Sequence, residues 1–252
     1  MLSTAALSET PELRRIGPLT VRATTRADAS RDIVSAIARR QQLCIAFANT
    51  HLLYCALKEP AFAEALGRFY MVNDGVGMTL FSRLACGVGF KENLNGTDFT
   101  PLLLSELPAG ARVFLVGAAP QVAARAAERM TYEWPHLSVC GFRDGFAESE
   151  SALDDIGAIA PDLVLVAMGN PLQERWMSRA MARAPQTVFM GVGALFDFMV
   201  GAVPRAPSTV RRLGLEWAFR LAQEPRRLWR RYTVEILVIL AALARSSARG
   251  RA

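Results

Sequence analysis

The sequence is poor in the residues that build metal and redox centres. Its 252 residues include only two histidines, His51 and His136, and four cysteines, Cys44, Cys55, Cys86 and Cys140. The cysteine spacing contains no Cys-x-x-Cys pair, which argues against a zinc site or a redox site. We interpret the cysteines as small core residues and expect neither a bound metal nor a cofactor.

Common nucleotide-binding motifs are missing as well. The chain has no Gly-Lys pair, so a P-loop is excluded. Three Gly-Val-Gly tripeptides begin at Gly75, Gly87 and Gly191, but each lacks the third glycine of a dinucleotide fingerprint. An NAD(P)-dependent oxidoreductase is therefore kept only as an alternative.

No apolar run is long enough to cross a membrane. The longest uncharged apolar stretch near the C-terminus, residues 236–244, has nine residues, whereas a spanning helix needs about 20. Residues 1–18 contain Glu9, Glu12, Arg14 and Arg15 and lack the apolar core of a secretory signal. We therefore expect a cytoplasmic protein.

The positive charge is concentrated at the end of the chain. The formal net charge is +6, and residues 203–252 carry eleven arginines against three glutamates, which leaves the preceding part slightly acidic. This distribution predicts a nearly neutral body with a basic tail that contacts phosphates, nucleic acid or a lipid surface. A basic nucleic-acid-binding protein is thus a second alternative, although the tail offers few aromatic side chains for base stacking.

Short apolar runs alternate with segments of helical period, which predicts an α/β fold. It is a Rossmann-like, mostly parallel sheet with helices on both faces and a C-terminal helical appendage. The predicted strands are residues 42–49, 69–73, 111–117, 137–141, 162–169 and 187–193. The predicted helices are residues 26–40, 76–86, 98–107, 120–134, 151–159 and 171–184. We divide the chain into a flexible N-terminus (1–17), a core (18–207) and a helical appendage (208–252) that is broken at Pro225.

Ligands of such sheets bind beyond the carboxyl ends of the strands. The residues found there are Asn49-Thr50-His51, Asn73-Asp74-Gly75, Gly117-Ala118, Gly169-Asn170 with Gln173-Glu174, and Gly193 with Asp197. Asp74 is either a general base or the N-cap of the next helix. His51 is either a ligand contact or a structural residue.

Several of these segments resemble one family. The matching segments are Asn73 to Gly77, Asn95-Gly96-Thr97-Asp98, residues 113–117, Gly169 to Glu174, Gly191 to Ala194 with Phe196-Asp197, Gly201, Arg205-Ala206-Pro207, Gly214 to Trp217 with Arg220-Leu221, and Glu224 to Arg227. In this order and combination they resemble the bacterial WecG/TagA/CpsF glycosyltransferases (glycosyltransferase family 26).

The resemblance implies an inverting transfer of a sugar from a UDP-sugar to a sugar on a polyprenyl diphosphate, without a metal. It implies that Asp74 is the base, that Asn49 and Gln173 belong to the active site, and that Arg220, Arg227 and Arg230 engage diphosphate. The nucleotide-sugar pocket would be formed by Thr50, Gly117, Ala118, Gly169, Asn170, Glu174, Gly193 and Asp197. No nucleic acid is implied as a partner, and a homo-oligomer stays open.

One departure from the family pattern concerns the end of the first predicted core strand. Where the family often has Thr-x-Asn, this sequence has Phe47-Ala48-Asn49, so the threonine hydroxyl is missing. Either Thr50 supplies that hydroxyl, or the enzyme handles a different sugar from its relatives.

The physical chemistry of the tail fits the implied reaction. The sequence lacks an Asp-x-Asp metal motif, and arginines can neutralise a leaving diphosphate. Apolar residues Ile236, Leu237, Ile239, Leu240 and Leu243 recur at helical spacing beyond the arginines. We therefore expect this helix to lie in the interface of the inner membrane surface, with the protein peripherally associated.

Overall fold

The structure is a computed structural model, and it describes residues 12–145 and 150–249. The strands are β1 (Glu12–Ile16), β2 (Leu19–Ala23), β3 (Leu43–Ala48), β4 (Tyr70–Asn73), β5 (Arg112–Gly117), β6 (Ser138–Arg143), β7 (Leu163–Ala167) and β8 (Val188–Gly191). The helices are α1 (Arg26–Ala38), α2 (Thr50–Lys58), α3 (Pro60–Leu66), α4 (Val76–Cys86), α5 (Gly96–Glu106), α6 (Val122–Glu133), α7 (Glu150–Ile159), α8 (Leu172–Ala180), α9 (Leu195–Met199), α10 (Ser208–Arg212), α11 (Glu216–Gln223), α12 (Pro225–Tyr232) and α13 (Val234–Arg249).

The described strands form one sheet in the order β1-β2-β4-β3-β8-β7-β5-β6. All neighbours are parallel except β1 and β2, which are antiparallel. One face is covered by α2, α3, α4, α7, α8 and α13, and the other by α1, α5, α6 and α9. Coverage of both faces explains why β7 and β8 are apolar without alternation. The predicted α/β class is confirmed.

The N-terminal segment differs from its prediction. Residues 1–11 lie outside the described part, but Glu12–Ile16 form β1 instead of a flexible segment. Arg14 and Ile16 face inward, and the Arg14 guanidinium donates to Ser82 Oγ (3.4 Å) and the Val88 carbonyl (3.3 Å). A charged side chain at an inward position conceals the period-two pattern, and this is why the strand was missed.

The C-terminal segment is helical, as expected, and a new helix begins at Pro225. The orientation predicted for its last helix is wrong. Helix α13 packs on α2 and α4, so Ile239 and Leu243 are buried in the core, and Ile236 and Leu240 pack against that core. Of the apolar residues assigned to a membrane interface, Leu237 is the one that stays mostly exposed. None of the described helices combines the length and hydropathy that crossing a bilayer requires.

Candidate active site

Asp74 lies at the carboxyl end of β4, in the middle of the sheet. Its backbone N–H donates to the Ala48 carbonyl at the end of β3 (2.7 Å). The N-cap of α4 is Gly75, with φ at 86°, and its N–H donates to Asn93 Oδ1 (2.7 Å). Capping is therefore not the role of Asp74, and its carboxylate is directed to other partners.

The carboxylate of Asp74 is surrounded by the end of β3 and by the appendage. Its pKa is raised to about 6, first by burial and then by the nearby Glu216 carboxylate. The guanidiniums of Arg220 and Arg231 and a hydrogen bond from Asn49 act in the opposite direction. At neutral pH such a carboxylate is mostly ionised, yet it is basic enough to accept a proton from a hydroxyl group in the transition state.

Asn49 connects this carboxylate to the other half of the sheet. Its Oδ1 accepts from the Leu52 N–H (3.0 Å), which caps α2, and lies 3.5 Å from the Arg231 guanidinium. Its Nδ2 donates to Oδ1 of Asn170 after β7 (3.0 Å). Asn170 Nδ2 in turn donates to Oε1 of Glu174 (2.7 Å).

Gln173 and Glu174 are buried, and their hydrogen bonds are to the loops after β7 and β8 and to each other. Gln173 Oε1 accepts from the N–H groups of Gly169 (3.2 Å) and Gly193 (3.0 Å), which ties together the loops after β7 and β8. Gln173 Nε2 donates to Glu174 Oε1 (2.9 Å). Burial raises the pKa of Glu174 to about 7, and its Oε2 has no hydrogen-bond partner among the described residues.

The remaining predicted pocket residues lie at the same edge of the sheet. Gly117 has φ at 105°, and a Cβ there would lie 2.5 Å from the Ala167 carbonyl oxygen, so only glycine fits. Ala118 follows it, is buried, and donates its N–H to the same carbonyl (2.7 Å). Thr50 begins α2 so close to α4 that a Cβ on Gly77 would lie 2.5 Å from its Oγ1.

The appendage arginines occupy different positions around this edge. Arg220 lies over the Phe198 ring (5.9 Å) and lowers the pKa of Asp197, although burial raises that pKa overall. Arg230 lines a cavity of about 350 Å³ between α2, α12 and α13, together with Arg231. Arg227 lies in α12, and its side chain is outside the described part.

No metal centre is evident in residues 12–145 and 150–249, where no three His, Cys, Asp or Glu side chains are grouped to hold an ion.

Sequence comparison gives the site its chemical context. Residues 14–252 match the sequence model of the Glycosyl transferase WecG/TagA/CpsF family. The chain belongs to this family. Its membership agrees with the glycosyltransferase prediction and removes the nucleic-acid-binding and oxidoreductase alternatives.

Two curated relatives carry the same name, N-acetylglucosaminyldiphosphoundecaprenol N-acetyl-beta-D-mannosaminyltransferase. The protein from Bacillus spizizenii strain W23 is 36% identical over 190 residues, which cover 74% of this chain and 73% of the relative. The protein from Bacillus subtilis strain 168 is 32% identical over 190 residues, with the same coverage.

Asp98 binds both the first helix of the appendage and the segment just before it. Arg205, from Arg-Ala-Pro, donates to Asp98 Oδ1 (2.7 Å), and Arg211 donates to the same oxygen (3.0 Å). Burial raises the pKa of Asp98, but the Asn95 hydrogen bond and both guanidiniums outweigh this effect and lower it overall. The sequence contains both segments but does not reveal their contact, because more than a hundred residues separate them.

His51 pairs with the last helix and also lines the cavity of Arg230 and Arg231, whereas Phe47 lies in the core. His51 Nδ1 lies 2.9 Å from Oε2 of Glu235, which links α2 to α13. Phe47 is buried, and its ring is 6.1 Å from that of Phe99. A Cβ on Gly96 would lie 3.1 Å from the Phe47 ring, so this phenylalanine belongs to the core and contributes nothing to the pocket surface.

Arg231 is the site residue that sequence reasoning missed. Arg230 and Arg231 are consecutive in a run of arginines, and composition gives no reason to prefer either. Only the orientation of α12 decides that Arg231 reaches Asn49 and Asp74.

Proposed function

We propose that this family member transfers a sugar from a UDP-sugar to a sugar linked to a polyprenyl diphosphate, during assembly of a surface polysaccharide. The observation that carries the proposal is the half-buried Asp74, which has a pKa of about 6 beside the arginines of the appendage. The names of the two relatives support the acceptor class.

In the proposed reaction, Asp74 accepts the proton of the acceptor hydroxyl as that oxygen attacks the anomeric carbon. Attack from the face opposite the leaving group breaks the bond to UDP and inverts the configuration. The negative charge that develops on the leaving diphosphate requires fixed cations, and Arg220 and Arg231 lie nearest to the base. Two-pronged guanidinium donors match phosphate geometry.

The acceptor proposed here is anchored in a bilayer, so the enzyme has to work at the membrane surface. The exposed Arg226 and Arg230 and the half-exposed Trp217 and Trp229 of the appendage suit an anionic interface. We propose peripheral association with the inner face of the plasma membrane through this surface.

The decisive experiment offers the protein UDP-N-acetylmannosamine, its uronic acid and UDP-glucose, together with a short-chain prenyl-diphosphate-linked N-acetylglucosamine. We expect one donor to give a β-linked disaccharide lipid, identified by mass and by the anomeric NMR coupling. Asp74→Asn should lose this activity, whereas Glu128→Gln, an exposed change on α6, should retain it. UDP-sugar hydrolysis without transfer, or a product of retained configuration, would contradict the proposal.

A further inference from the structure

Helix α4 presents an apolar stripe to solvent beside the catalytic aspartate. Val76, Leu80 and Leu84 are 58%, 51% and 53% exposed. Their spacing of four residues places them on one side of the helix. The stripe begins two positions after Asp74, and at 1.5 Å per residue its eight steps cover about 12 Å.

Helix α13, which packs beside α4, also has exposed apolar side chains. It contacts α4, and its Val234 and Leu237 are 38% and 67% exposed. Both helices begin at the catalytic edge, since Glu235 in the first turn of α13 is paired with His51 in the first turn of α2. We call these five side chains, Val76, Leu80, Leu84, Val234 and Leu237, the α4–α13 surface.

The charge around the α4–α13 surface restricts what can cover it. Helix α4 contains no acidic residue, and the only acidic residue of α13, Glu235, is engaged by His51. The cationic cavity lined by Arg230 and Arg231 also includes Val234, so guanidiniums and exposed apolar side chains meet there. A ligand that fits carries an anionic group at one end and a hydrocarbon chain at the other.

We propose that the α4–α13 surface binds the isoprenoid chain of the acceptor, starting at the units next to the diphosphate. This inference rests on the proposed function, because it assigns the lipid end of that same substrate. The geometry supports it: Asp74 lies just before α4, and Val234 of the surface lines the same cavity as Arg230, so an acceptor with its sugar at Asp74 and its diphosphate at Arg230 has its chain beside this surface. The enzyme then selects its acceptor by the lipid as well as by the sugar.

The test measures binding without turnover. Geranyl, farnesyl and geranylgeranyl diphosphate are titrated into the full chain in detergent-free buffer below their micelle concentrations, and Kd is obtained by calorimetry. We expect affinity to increase with chain length in the wild type. In Leu80→Gln with Leu84→Gln, the geranylgeranyl-to-geranyl affinity ratio should fall about tenfold, because contact area on both leucines is lost. Leu102→Gln, an exposed leucine of α5 on the opposite face of the sheet, is the matched control and should keep the wild-type ratio.

A second variant keeps the inference testable if the double variant does not fold. Leu237→Gln changes the other helix and should lower the same ratio. An unchanged ratio in folded variants would overturn the inference. Two further measurements would then identify the true occupant of the surface. Loss of liposome sedimentation in the variants would assign the surface to the bilayer. Dissociation of a wild-type dimer in ultracentrifugation would assign it to a second copy of the chain. Chain-dependent binding without sugar transfer from any donor would count against the proposed function and leave this inference standing.

Discussion

Replacement of Asp74 by asparagine should remove most of the turnover and stabilise the fold. The amide is nearly isosteric and can still accept the hydrogen bond from Asn49. It has no charge to desolvate and cannot act as a base. Loss of general-base catalysis lowers kcat by about 10² to 10⁴.

The stability gain follows from the raised pKa. In the folded protein the pKa of Asp74 is about 6, against 3.8 for an unperturbed aspartate. This difference of about two pH units corresponds to about 3 kcal/mol, which the ionised carboxylate costs the native state. The unfolded chain ionises first as pH rises, so the cost begins near pH 4 and is complete above pH 6. Below pH 4 both states are protonated and the cost disappears.

Thermal denaturation at two pH values tests this reasoning. At pH 7.5 the melting temperature of Asp74→Asn should exceed that of the wild type by about 6 to 12 °C, since 1 kcal/mol shifts a chain of this size by about 2 to 4 °C. At pH 4 the two proteins should melt together. Glu128→Gln is the control and should show no such pH dependence. A melting temperature below wild type at pH 7.5, or a gain that persists at pH 4, would refute the proposed burial cost.

Four further predictions concern the charges near Asp74, the contacts of Glu174, metal dependence and the packing of α13. Glu216→Gln should move the acidic limb of kcat/KM to lower pH and Arg231→Met to higher pH, because they remove charges of opposite sign near Asp74; shifts in the same direction would contradict this. Glu174→Leu leaves the buried amide donor of Gln173 and the half-buried one of Asn170 unpaired, at about 1 to 3 kcal/mol for the buried donor and less for the other. This variant should therefore melt below Glu174→Gln, which keeps an acceptor oxygen; equal melting curves would show that the network contributes little. A metal chelator should leave turnover unchanged. Turnover that the chelator abolishes and that added magnesium or manganese restores would disprove catalysis by arginines alone. A chain ending after Tyr232 should unfold at lower temperature, because it uncovers the α2 and α4 surfaces on which α13 packs; an unchanged melting curve would show that this packing is weak.

The fold was predictable where burial leaves a clear pattern. The uninterrupted apolar runs of β3, β5, β7 and β8 have helices on both sides, and all were located to within about two residues. β1 was missed because Arg14 occupies an inward position and is stabilised by partners in α4 and in the loop that follows it. No local pattern encodes a partner that lies more than sixty residues away.

The sequence predicts the position of the site residues at one edge of the sheet better than it predicts what each side chain does there. Rules for parallel sheets place Asn49, Asp74 and Asn170 at one edge, and the structure brings them into one hydrogen-bonded group. Strand ends do not reveal which side chains point inward, so the burial of Gln173 and Glu174 could not be foreseen. The orientation of α13 was also hidden, because an apolar helix face is equally suited to a membrane and to a protein core.

If Asp74 acts as the proposed base, the two attachments of the appendage would make catalysis dependent on its docking. Asp98 binds Arg211 at the beginning of the appendage and Arg205 just before it, and the pair of His51 and Glu235 holds the last helix. Glu216, Arg220 and Arg231 lie between these attachments in the sequence. Burial is the main cause of the raised pKa of Asp74, and Glu216 raises this pKa further while Arg220 and Arg231 lower it. A body without a docked appendage would therefore carry a base of different strength and no guanidinium beside the leaving group. Since the lipid-binding surface that we propose includes α13, a bound acceptor would also stabilise the docked arrangement, so that the complete site forms where the lipid is present.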